Sequence, residues 1–157
     1  MEGLAAVEYA RINKIRVGIR HARKAVGGFW TVRGNLYLNS IHYTMESSLK
    51  NPRAWTLFMH EVRHLQQGMI TALSIFGELD AWQYEFKVYK RITGKNLDTR
   101  LEELLALPLN YDRSNLQRAR TLMMAYARKG YAAGFLPLYP LTREIRYWFT
   151  GRIKPDN

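Results

Sequence analysis

The sequence predicts an α+β chain that is mostly helical, with a small antiparallel sheet near its N-terminus. Three observations predict it. Apolar residues recur at spacings of three and four over residues 4–26; an aromatic and β-branched run split by Gly34-Asn35 covers 29–44; and capped, amphipathic segments follow one another from Asn51 onward. The 157 residues suit one domain with one core. The segments read as a basic helix (1–26), a small sheet (29–44), two central helices (52–94) and a helical C-terminal part (95–157).

In the first segment Ile12, Ile15, Ile19, Ala22 and Val26 form a stripe, with Arg11, Arg16, Arg20, Arg23 and Lys24 largely outside it. The arginine-rich side predicts an attachment role for this helix. Gly27 and Gly28 break it. In "FWTVRGNLYLNSIHYT", Gly34 and Asn35 lie between two strand-like runs and predict a tight hairpin. Asn51 is an N-cap with Pro52 at the first helical position, opening a helix that runs to about Gln67. Gly77 marks a break. "ELDAWQYEFKVYKRI" is the next helix, closed by Gly94. Asp98 caps another that Pro108 stops. A capping box from Ser114 to Gln117 starts a fourth, ending at Gly130, and residues 142–149 form a last short one.

Composition narrows the chemistry. Cysteine is absent, which removes disulfides, thiolate zinc ligands and a thiol nucleophile and suits a reducing cytoplasm. The N-terminus carries Glu2 and Glu8 without a long apolar stretch, so no signal peptide is expected. No apolar run approaches the roughly 18 residues of a membrane span. The net charge of +11 predicts either simple solubility or an acidic partner, nucleic acid included.

The stretch "MHEVRHLQQG", residues 59–68, carries the chemistry. On a helix, His60 and His64 project from one face about 6 Å apart. Both imidazoles can then hold one Zn2+ ion. Glu61 is rotated about 100° from His60, out of the ligand position but within reach of a water at the metal. Two ligands and an adjacent general base are thus set by helix pitch. A third protein ligand is needed. His21 and His42 lie upstream and no histidine follows His64, so a carboxylate of the next helix is expected, with Glu78, Asp80 and Glu85 as candidates.

"HEVRH" at 60–64 followed by "GELDAW" at 77–82 resembles the zincin metallopeptidases, and among them the small gluzincins, whose third ligand is a glutamate of a downstream helix in an E-x-x-A pattern. The resemblance covers about residues 29–90 and implies a minimal zincin-like domain with an active-site helix. It implies Glu78 as metal ligand, Ala81 as the small residue where the two helices approach, Asp80 projecting elsewhere and Glu85 in a supporting or surface role. The metzincin branch is excluded, because Gln67 stands where that pattern has glycine and no third histidine follows. The implied activity is hydrolysis of a peptide or protein substrate, with Glu61 as the base. Tyr126, Arg118 and His42 are candidates to stabilise the oxyanion, and residues 36–43 are the expected edge strand for an extended substrate. Trp55, Met59 and Val62 are expected in the core, while Gln66 and Gln67 read as surface residues or as donors behind the ligands. The rival reading is a non-catalytic or nucleic-acid-associated binding protein that keeps the fold.

Overall fold

The computed structural model describes residues 2–127 and 132–152. Among them are eight α-helices and a three-stranded sheet, a mostly helical α+β fold as the sequence predicts. In chain order the elements are α1 (Glu2–Ile12), β1 (Val17–Arg20), β2 (Gly28–Trp30), β3 (Leu36–Asn39), α2 (Met45–Lys50), α3 (Pro52–Gln67), α4 (Met69–Ala72), α5 (Ile75–Thr93), α6 (Thr99–Ala106), α7 (Arg113–Ala127) and α8 (Leu141–Thr150), with a 3-10 turn at Ala132–Phe135.

Residues 4–26 are not one helix. α1 stops at Ile12, Lys14 takes a left-handed backbone (φ 53°), and β1 follows. The physical reason is an ambiguity of period. A spacing of four, as between Ile15 and Ile19, fits a helix face and one side of a strand equally well. Pairing with β3 then decides for the strand. Ile12, in the expected stripe, is 65% exposed, and Ala6 and Ala10 are buried instead. α1 packs on α3, with the Tyr9 hydroxyl donating to the Leu65 carbonyl (3.4 Å) and Arg91 paired with Glu2. Its apolar face is therefore structural, and residues 1–24 contain both this helix and strand β1.

The sheet is mixed, not purely antiparallel. Its order is β1-β3-β2, with β1 parallel and β2 antiparallel to β3. The β2–β3 connection is the expected hairpin, with Gly34 at φ 75°. β3 lies in the centre, so residues 36–43 do not supply an edge strand; β2 does, and residues beyond Asn39 turn into the Thr44 cap of α2. Leu36 and Leu38 are buried on the α3 side, while Tyr37 projects from the opposite face.

The helical part follows the sequence more closely. Asn51 caps α3 through the Arg53 amide, Pro52 takes the first position and Gly68 ends the helix. α5 begins earlier than expected. Ser74 caps it, Gly77 lies inside its first turn, and the break falls at Gly68 and Leu73. Gly94 closes α5 in the left-handed conformation. Asp98 caps α6. α7 is capped by the Asp112 side chain, which accepts from the Asn115 amide, rather than by Ser114. The expected stop at Gly130 lies outside the described residues. α5 joins two apolar clusters: Leu79, Trp82 and Phe86 pack with α6 and α7, and Val88 packs with Leu36, Met59 and Val62.

Candidate metal centre

α3 brings His60, Glu61 and His64 into the interior, where their relative exposures are 6%, 5% and 3%. Burial of three ionisable groups in one and a half turns is costly unless each is paired or ligates something. α5 supplies the opposing group. Its Ser74 cap and two α3 side chains fix its first turn. Arg63 donates to Asp80 (2.8 and 3.1 Å), and Gln67 donates to both the Gly77 carbonyl (3.0 Å) and Asp80 (2.7 Å). Gly77 and Ala81, both buried, let the segments come close; a Cβ at Gly77 would lie 2.1 Å from the Thr71 carbonyl oxygen.

This register directs Glu78 at the two histidines. The His60 and His64 Nε2 atoms are 3.0 Å apart; Glu78 Oε2 is 3.8 Å from the first and Glu78 Oε1 is 3.5 Å from the second. Ligands of a tetrahedral zinc ion, with bonds of about 2.0–2.2 Å, stand roughly 3.3–3.5 Å apart. The observed separations scatter around those values, and the three residues form a group able to hold a metal. Of the sequence candidates, Glu78 joins the histidines; Asp80 and Glu85 do not.

Asp80 and Glu85 instead stand behind these side chains. Glu85 Oε2 lies 2.9 Å from His60 Nδ1, and Arg53 donates to Glu85 Oε1 at 2.5 Å. The His60–Glu85 contact has ion-pair distance without hydrogen-bond alignment, so Nδ1 lacks a well-angled partner. Gln67 Oε1 sits 3.2 Å from His64 Nδ1, with Asp80 behind it. Trp82 donates to Glu78 Oε2 (3.2 Å). Each of the three side chains thus has a polar neighbour on its far side, as ligands at metal sites do. The roles of Arg53, Arg63 and Trp82 were not legible from sequence. The one signal was spacing: Gln67 follows His64 by three residues and Trp82 follows Glu78 by four. Gln66 is exposed, which separates it from Gln67.

The electrostatics follow from this packing. Burial opposes charge on His60, but contact with Glu85 and the charges of Glu85, Glu61 and Glu78 outweigh it and raise His60 to about 9. Burial and the His60 cation lower His64 to about 4. Burial raises Glu61 to about 8, His60 pulls it back, and Glu78 and Glu85 add to the rise. Glu85 stays below the usual carboxylate range, because Arg53 and His60 overcome its burial. The Glu61 side chain lies against β2, where a Cβ on Gly28 would stand 3.2 Å from Oε1. Trp30 of the same strand has its ring 6.5 Å from that of His64.

The expected oxyanion groups are engaged elsewhere. Arg118 pairs with Glu103 at the surface, the His42 ring meets the Lys24 carbonyl (2.7 Å), and Tyr126 packs edge-on against Trp82 and Phe86. Met59 and Val62 are core, whereas Trp55 is 48% exposed. Trp55 lines an apolar cavity of about 750 Å³ with Val7, Leu38, Met59 and Ile92. None of the four chemical residues borders that cavity, so its size carries no weight for the site. No helix among the described residues is long and apolar enough to cross a membrane. No family model matches the chain, and neither a curated protein nor a solved structure matches it.

Proposed function

We propose that this chain is a zinc-dependent peptide hydrolase of the gluzincin type, working in a reducing, cytoplasmic setting. The observation that carries the reading is the convergence of His60 Nε2, His64 Nε2 and a Glu78 oxygen beside a buried Glu61. His60, His64 and Glu78 would hold the ion. Bound there, zinc supplies a Lewis acid and brings the pKa of water near 7.

The chain's own groups do the rest. Glu61, buried beside the ligand position, is placed to take a proton from the attacking water when ionised and to return it to the leaving amine. The histidines keep their Nε2 atoms towards the ligand position, because Glu85 and Gln67 face the Nδ1 atoms. Substrate is expected along β2, the edge strand next to Glu61 and His64, through main-chain hydrogen bonds.

The test compares two carboxylates. Glu78→Ala removes a ligand, so zinc content measured by elemental analysis should fall from about one per chain to near none. Glu61→Gln should keep zinc and lose roughly 10²–10⁴-fold of turnover on a casein or peptide-library substrate. Zinc stoichiometry near zero in the unmodified protein, after reconstitution, would sink the proposal. Full zinc with no cleavage of any peptide would leave a non-catalytic zinc protein, the second reading.

A further inference from the structure

We infer that the outer face of the three-stranded sheet binds a single strand of nucleic acid, by stacking bases on Tyr37 and Phe29 and by pairing phosphates with the cations around them. The inference is independent of the hydrolytic reading, since α3 and the metal ligands lie on the other side of the sheet.

Charge distribution is the first observation. Between residues 9 and 45 the chain has seven Lys or Arg and no Asp or Glu. This segment is α1's end, the whole sheet and its connections. Arg11 pairs with Glu8. The other six, Lys14, Arg16, Arg20, Arg23, Lys24 and Arg33, are exposed, and none has an ion-pair partner among the described residues. The segment thus carries a net +7 of the chain's +11.

Geometry is the second. β-strand alternation divides the sheet into two faces. Gly28, Leu36 and Leu38 face α3, where Gly28 abuts Glu61. Gly18, Phe29 and Tyr37 are in register across the three strands and share the opposite face. Phe29 and Tyr37 are partly exposed, with ring centroids 5.5 Å apart at 33°. Gly18, which has no side chain, leaves room for the Tyr37 ring, whose edge carbons a Cβ there would touch at 3.5–3.6 Å. The Arg20 guanidinium lies 5.6 Å from the Tyr37 centroid.

Cations stand at both ends of the sheet that carries these rings. Lys14 and Arg33 stand at the end where β1 and β3 begin, lining a small cavity that Tyr9 of α1 and Leu65 of α3 share. Arg20 closes β1 at the other end, and Arg23 and Lys24 follow it on a loop tied down by Asn39. Two rings between two cationic ends match what a single strand offers: unpaired base faces to stack and phosphates on either side. Duplex nucleic acid hides its base faces, and an anionic lipid or acidic protein has none to offer.

The test uses the full chain and a fluorescein-labelled oligothymidylate 12-mer, followed by fluorescence anisotropy. Binding should weaken with salt along a log–log slope of about −2 or steeper, the value for three phosphates on a single strand. Tyr37→Leu and Phe29→Leu should each lose about fivefold or more in affinity, while Tyr37→Phe keeps it. A wild-type complex made with 4-thiothymidine in the oligomer should cross-link within residues 28–37, which needs no variant to fold. A flatter slope, leucine variants that fold and bind like the wild type, equal affinity for a 12-bp duplex, cross-links only elsewhere, or binding to phosphatidylserine vesicles but not to the oligomer would each overturn the inference.

Discussion

His60 and Glu61 both retain protons in the folded chain that the unfolded chain would release. His60 rises from 6.5 to about 9 and Glu61 from 4.5 to about 8. A raised pKa contributes stability that is complete below the unfolded value and is lost as pH rises through the folded one. His64, lowered to about 4, works in reverse: its contribution is present above 6.5 and is lost as pH falls towards 4. Chelator-treated protein should therefore melt at a lower temperature at pH 9 than at pH 6.5. A melting temperature that holds or rises over that range would show the two buried protons to be absent. Zinc, competing for the same Nε2 atoms, should bind more weakly as pH falls.

Two positions test how elements are set against each other. At Gly77 an alanine Cβ would meet the Thr71 carbonyl oxygen at 2.1 Å and its carbon at 2.7 Å, both backbone. The α4–α5 junction must shift, and Glu78 is the next residue. Gly77→Ala should cost about 1–3 kcal/mol in denaturant unfolding and weaken zinc affinity as well. Unchanged zinc affinity would mean that Glu78 does not depend on this approach. Asn39, fully buried on β3, accepts from the Ala22 and Ile41 amides and donates to the Ala22, Arg23 and Val26 carbonyls. Asn39→Ala leaves those groups without the partner that ties loop 21–27 to the sheet. Urea unfolding should register a loss of about 2 kcal/mol or more; a loss under half of that would mean that water replaces the side chain.

For the whole molecule, the candidate metal site joins α3 to α5, and α5 belongs to both apolar clusters. A ligand bound only by the folded state stabilises it by about 2.7 kcal/mol at a hundredfold excess over Kd. For a chain of this size that is roughly 5–10 °C in melting temperature. Thermal scans with and without zinc should show the rise in the wild type and not in His60→Ala. An equal rise in both would locate zinc elsewhere.

The sequence by itself determined what local geometry controls. Helix pitch alone puts His60, Glu61 and His64 in their relation, and Asn51-Pro52, Asp98 and Gly94 mark helix ends through their own backbone preferences. The strand-like run and its Gly34 turn were legible for the same reason. What needed contact between distant segments was not. Ile15 and Ile19 satisfy helix and strand alike, and only pairing of Val17–Arg20 with β3 places Ile19 in a strand, with Ile15 just before it. Centrality of β3, and hence the identity of the edge strand, depends on that same pairing. Gly77 reads as a breaker in one dimension, yet it is a contact point in three. Among three nearby carboxylates, local spacing could not choose the one facing the histidines. Arg63 and Gln67, reaching across from α3, fix the register that turns Glu78 towards the histidines and leaves Asp80 and Glu85 behind them.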